Sequence, residues 1–315
     1  MARHEVHHGW SRDHPPLLAV RSGAELTVDT QDASDGQLRP GSTHRSVAEL
    51  DLSRANPVNG PVFVEGARPG DVLQVEILAV EPGSYGWTAL IPGFGLLAEQ
   101  FPDPWLHVWE LDDQGAQFTD GIRVPLQPFC GVLGVAPAEP GSHSVLPPRR
   151  VGGNLDIRQL GPGSTLYLPV EVEGALFGVG DTHAAQGDGE VCGTAIEAPM
   201  MVTLRLSVRT DLAIDTPELD VTRPLERPAA AAAGYHVTTG IGPDLWAATQ
   251  PERGADDRLP GAPPPPRARS GLRPVLGGGR PAHRSDRQRP QLGRLGVPAP
   301  RPVRTPQVGG RLTTI

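Results

Sequence analysis

Lysine is absent: all 28 basic side chains of the 315-residue chain are arginine. That removes any mechanism built on a lysine base, a Schiff base or a phosphate-loop lysine. Aromatic residues make up only 4% of the chain, against 39 Gly and 36 Pro. Such a composition favours short strands and many turns over long helices. Two cysteines, Cys130 and Cys192, are too few for a disulfide framework. No run of about 18 apolar residues occurs, so no transmembrane span is expected. The opening residues, MARHEVHHGW, lack the apolar stretch of a secretory signal. A cytoplasmic enzyme or binding protein is the expectation. No G-x-S-x-G elbow is present, so a serine hydrolase of that kind is not signalled.

What is present divides in two. Residues 1–250 carry 32 acids and 15 arginines, whereas residues 251–315 carry 13 Arg, 13 Pro and 4 acids. The first part reads as a folded β domain and the second as a disordered Arg/Pro/Gly-rich tail. The tail lacks the interleaved aromatics of a nucleic-acid stacking platform, so no nucleic-acid partner is expected. An out-of-frame origin explains it better. Written in GC-rich codons as CGT CCT GTG CTC GGT GGC GGT, the segment RPVLGGG (273–279) becomes Tyr-Val-Leu-Cys-Ser-Val-Ala when the frame is moved behind a preceding TA. The expected domains are therefore 1–250, C-terminally incomplete, and 251–315, a frameshifted tail.

Within 1–250, LTVDT, PVFVEGARPGDVLQVEILAVEP and STLYLPVEVEGALFGVG alternate apolar with polar residues between Gly/Pro turns. They predict strands. In MMVTLRLSV, Met201, Thr203 and Arg205 alternate with Val202, Leu204 and Leu206. The spacing of these strands and turns predicts a mainly β fold, a sandwich or barrel. The one helix expected is GPDLWAATQ (242–250), with Asp244 near its start.

Three stretches carry candidate chemistry. In GDTHAAQGDGE (180–190), Asp181 and His183 share a face if the segment is a strand. A carboxylate and an imidazole so placed form half a metal site or an acid–base pair. A polar β-turn is the plainer alternative. Asp188 and Glu190 are further candidates, or solvated turn residues. In PPRRVGGNLDIRQL (147–160), Gly152 and Gly153 allow close approach of a ligand. Asn154 and Asp156 there offer an amide and a carboxylate on one face, unless the stretch is an ordinary Gly-Asn turn. Glu197 follows the apolar GTAI, where a buried carboxylate needs a partner. His4, His7, His8 and His14 are possible ligands, though more often a solvated terminus. Cys192 reads as a packing residue sooner than a nucleophile.

The blocks NGPVFVEGARPGDVLQVEI (59–77), PPRRVGGNLDIRQL (147–160), GSTLYLPVEVEGALFGVGDTHAAQGDGEVCGTAIE (163–197) and GYHVTTGIGPDLWAA (234–248) resemble the acetamidase/formamidase family. The resemblance covers most of residues 1–250. It implies hydrolysis of short aliphatic amides to a carboxylate and ammonia. It also implies a largely β fold with a small α+β C-terminal portion, and a homo-oligomer. The chain departs from the family after TTGIGPDL, and the frame-moved tail resembles the segment missing there.

Amide hydrolysis needs a nucleophile, oxyanion stabilisation and a proton for the leaving nitrogen. The Ser-Ser-Lys and Cys-Glu-Lys amidase designs both need lysine and are excluded. Water activated by a metal remains, or water activated by carboxylate and histidine. The favoured reading is a divalent metal, zinc, held by Asp156, Asp181 and His183. Glu197 or Glu190 serves as base and then acid, with Asn154 beside them. Backbone N–H groups of Gly152 and Gly153 hold the oxyanion. A non-catalytic ligand-binding β-sandwich and an inactive frameshifted protein are the alternatives.

Overall fold

The computed structural model describes residues 1–222 and 235–242 of the chain. The helix expected at 242–250, the domain boundary near 250 and the tail lie outside these residues, apart from Gly242.

Among the described residues, sixteen strands form three sheets. The first sheet contains β1 (Val6–His7), β2 (Leu18–Arg21), β4 (Val58–Glu65), β10 (Phe129–Gly134), β11 (Gly152–Asn154) and β13 (Phe177–His183). The second contains β3 (Ala24–Asp29), β5 (Val72–Pro82), β12 (Ser164–Pro169), β14 (Met200–Arg209), β15 (Glu218–Val221) and β16 (Tyr235–Thr238). The third is a meander of β6 (Tyr85–Leu90), β7 (Trp105–Asp112), β8 (Gly115–Thr119) and β9 (Ile122–Val124). Among the described residues, helix is confined to one short segment, α1 (His44–Ala48), and a 3-10 turn at Leu52–Arg54.

The mainly β expectation holds, and the alternation of MMVTLRLSV is realised in β14. Val202, Leu204 and Leu206 are fully buried, while Met201 is exposed. One core joins the two large sheets: Val62, Leu133, Phe177 and Val179 from the first pack with Leu73, Val75, Leu166 and Leu204 from the second. This is the inner layer of a sandwich. Each such side chain contributes about 1.5–3 kcal/mol through burial.

Strand β13 is the element that positions the site. It lies between β4 and β10, antiparallel to both, and every one of its residues is buried. A strand covered on both faces cannot alternate apolar with polar in the usual way. Polar residues at its end must therefore be served from inside the protein.

Candidate active site

Asp181 and His183 end β13. Thr182 points to the opposite face, where its hydroxyl donates to the Ala198 carbonyl at 2.7 Å and lies 2.9 Å from the Thr30 hydroxyl. Beyond His183 the chain loops back, and Ala184 and Ile196 pair through a 2.8 Å backbone bond. This return sets Glu197 beside His183 as an isolated bridge. Glu197 also exchanges both backbone hydrogen bonds with Trp87 of β6, each 2.8 Å. The Trp87 indole N–H in turn donates to the buried Asp32 carboxylate at 2.9 Å.

The two expected partners on β13 do meet. His183 Nε2 lies 3.3 Å from Asp181 Oδ1 and 3.2 Å from Glu197 Oε2. Asp156 comes in from the turn after β11, its N–H donating to the Gly131 carbonyl at 3.1 Å. One potential ligand atom from each of Asp156, Asp181 and His183 lies within 4.8 Å of the others, and His183, Glu190 and Glu197 form a second such group. All five side chains thus share one place.

Local backbone explains some of the residue types. Asp156 (φ 49°), Asp181 (φ 47°) and Asn56 (φ 49°) all hold left-handed backbone. Asn and Asp tolerate that conformation best among residues with a side chain. Gly131 of β10 makes room: a Cβ there would sit 2.8 Å from Asp156 Oδ1 and 3.0 Å from His183 Cε1.

Burial dominates the electrostatics. It pushes the Glu197 carboxyl up to about 7, with Asp181 adding to the rise. It likewise raises Asp156 to about 7, reinforced by Asp181, and Glu190 to about 8, reinforced by Glu197. For His183 burial disfavours the charged ring, but Glu197 and Asp181 outweigh it and hold its pKa well above 6.5. Asp156 Oδ1 and Glu190 Oε1 are buried and have no hydrogen-bond donor among the described residues; Glu197 Oε2 has only the approach to His183. Buried polar atoms are nearly always paired, so unpaired oxygens gathered around one imidazole call for a proton or a cation. Carboxylates with a histidine are a donor set suited to zinc and other divalent ions.

One expectation needs correction, and one alternative is decided. The Gly152 N–H donates to the Arg149 carbonyl at 2.9 Å, so it is not free to hold an oxyanion. Gly153 beside it pairs with Leu133 across the ladder. These glycines matter for packing: a Cβ on Gly152 would strike the Leu133 carbonyl, and Trp10 lies close to Gly153. Asp188 turns outward and pairs with Arg158 at 3.0 Å. Asn154 does reach the cluster, where it counters the rise of the Asp156 pKa and accepts from Asn56 at 3.4 Å. Of the N-terminal histidines, His7 stacks on His14 and His8 lies 3.4 Å from Asp35, so they are not gathered at the site. Both cysteines are free thiols.

Sequence reasoning passed over Asn56, Gly131 and Gln186. Asn56 Nδ2 donates to Asp181 Oδ2 at 2.9 Å. Gln186 bridges His183 and Asp156. Gln186 stands inside the quoted GDTHAAQGDGE stretch, and Asn56 directly before a proline was a turn signal. Gly131 gave no signal.

The sequence model of the Acetamidase/Formamidase family matches residues 1–143 and 138–244. An acetamidase of Mycolicibacterium smegmatis is 32% identical over 256 residues, covering 61% of this chain and 63% of its own. A formamidase of Methylophilus methylotrophus is 27% identical, covering 66% and 65%. The crystal structure of an acetamidase from Bacillus halodurans superposes with a TM-score of 0.67 at 35% identity, covering 70% of this chain and 73% of that one. The chain thus spans a little under two thirds of the length of these two sequence relatives.

Proposed function

This chain belongs to the acetamidase/formamidase family, and we propose that it hydrolyses the C–N bond of short aliphatic amides, formamide or acetamide, to a carboxylate and ammonia. The observation that carries this reading is the meeting of Asp156, Asp181, His183, Glu190 and Glu197 around unpaired carboxylate oxygens. Asp156, Asp181 and His183 are the residues that would hold a divalent cation, with zinc the first candidate. Such an ion supplies Lewis acidity, activating water and polarising the amide carbonyl.

The protein's own groups do the rest. Glu197 is held through Oε1 by the Ala195 N–H at 2.8 Å, which leaves Oε2 facing the cluster. A carboxyl group poised near pH 7 is suited to take a proton from attacking water and pass it to the leaving nitrogen. One water and one amide are consumed, and the carboxylic acid and ammonia leave. Glu190, raised to about 8, is the alternative proton carrier. Asn154 and Asn56 orient Asp156 and Asp181. A cytoplasmic homo-oligomer remains part of the proposal. No described helix is long and apolar enough to cross a membrane.

The test is ammonia release from formamide and acetamide by the purified chain, before and after chelation and zinc readdition. Activity lost to chelator and restored by zinc is expected. A folded, zinc-loaded protein that releases ammonia from neither amide would overturn the proposal.

A further inference from the structure

We propose that Gln186 is a positioning residue that fixes which nitrogen of His183 faces the carboxylates. Its side-chain Nε2 donates to the Asp156 backbone carbonyl at 2.9 Å. A carbonyl oxygen only accepts, so this bond sets the orientation of the Gln186 amide. Its remaining atom, Oε1, then faces His183 Nδ1 at 2.9 Å and can only accept. Nδ1 therefore carries a proton whatever the charge on the ring. Nε2 is left to face Asp181 Oδ1 and Glu197 Oε2, at 3.3 and 3.2 Å.

The same amide ties two segments together. His183 ends β13 and Asp156 follows β11, and Gln186 links the ring of one to the main chain of the other. Rotating the imidazole would break this bond and turn Nε2 away from both carboxylates. A cation ligand needs its lone pair aimed, and the hydrogen bond to the other ring nitrogen is what aims it. The inference rests on the cation-site reading only for its consequence; the proton on Nδ1 follows from hydrogen bonding alone.

Imidazole-15N-labelled full-length protein tests it, first free of metal and then with zinc. A slowly exchanging Nδ1–H signal is expected, assigned to His183 by its loss in His183→Ala. In Gln186→Leu its exchange with water should accelerate at least about tenfold. In Gln186→Glu it should stay slow, because a carboxylate still accepts. With zinc, competition against a chromophoric chelator should show roughly 10–100-fold weaker binding in Gln186→Leu, the usual effect of removing a ligand's outer partner. An unprotonated Nδ1 in the parent, or unchanged exchange in a folded Gln186→Leu, overturns the proposal. If the Leu variant does not fold, fast exchange in Gln186→Glu does the same. Should the parent bind no zinc yet show the slow Nδ1–H and its loss in the Leu variant, the positioning role stands and the cation reading falls.

Discussion

Substituting Gly131 with alanine tests whether the cluster needs its present spacing. The Gly131 backbone is not in the left-handed region, so alanine brings no conformational strain there. The effect is purely one of space. The new Cβ would lie 2.7 Å from the Asp181 carbonyl oxygen, 2.8 Å from Asp156 Oδ1 and 3.0 Å from His183 Cε1. Restoring an ordinary contact means moving Asp156 Oδ1 from 2.8 Å to at least 3.4 Å. That shift exceeds the roughly 0.5 Å within which a working constellation must be held. Overpacking of this kind costs about 1–3 kcal/mol, or about 2–12 °C of melting temperature for a domain of this size. Function should suffer more than stability. Ammonia release should fall at least about tenfold, given that a displacement near 1 Å can cost about a hundredfold. Zinc binding should weaken alongside. Gly187→Ala is the control, because a Cβ there meets nothing closer than 3.5 Å. It should match the parent in melting, zinc binding and turnover. A Gly131→Ala protein with parental zinc affinity and turnover would refute the placement of Asp156 in the working cluster.

Three further outcomes are expected. His183→Ala should abolish ammonia release and lower bound zinc while the circular dichroism spectrum stays that of the parent; unchanged turnover would mean the stretch is only a polar turn. Asn56→Ala removes the donor to Asp181 Oδ2 and leaves alanine in left-handed backbone; the lost hydrogen bond alone should cost about 1.5–3 kcal/mol, the backbone strain adds to it, and kcat should fall more than KM rises; a neutral result by denaturant unfolding and steady-state kinetics would count against it. The metal-free protein should lose stability as pH rises from about 5 to about 8: Asp156, Glu197 and Glu190 titrate near 7, 7 and 8 when folded, so the folded chain holds protons the unfolded chain has already released. His183, raised above 6.5, acts in the same direction at the upper end. Melting temperatures rising over that range in chelator would be the contrary result.

The sequence made part of this legible for definite physical reasons. Strand periodicity suggested that Asp181 and His183 share one side of their strand; the two side chains lie 3.3 Å apart, although Asp181 itself is in left-handed backbone. The alternation of β14 survives because one of its faces meets the core and the other does not. The third sheet was not foreseen; β8 and β9 are short and largely exposed at their shared end, so no apolar face marks them. Gly131 was missed because nothing local marks it, and Asn56 because a turn signal before Pro57 does not say which distant side chain the turn will meet. Asn56 meets Asp181 across 125 residues, through β4 lying beside β13. The oxyanion role given to Gly152 failed because a glycine's freedom to approach a ligand is equally its freedom to approach Leu133. Composition cannot say which neighbour the fold supplies.

Two faces of β13 differ in a way that separates structural from functional polarity. Thr182 is fully buried, and its hydroxyl is bonded to Ala198 and neighbours Thr30. That is how a fold normally satisfies a buried polar group. One residue to either side, Asp181 and His183 are also buried, yet they face the unpaired oxygens of Asp156, Glu190 and Glu197. Packing alone does not account for this, since an apolar side chain of similar volume would avoid the cost of burying charge. The excess negative charge must be balanced either by protons or by a cation. Protons account for the carboxyls poised near neutrality, and a divalent ion would displace those protons on binding. Zinc binding to this protein should therefore release protons, and it should tighten as pH rises from 6 to 8. Affinity that is flat with pH, with no proton release in unbuffered titration, would mean that the carboxylates do not face the ion.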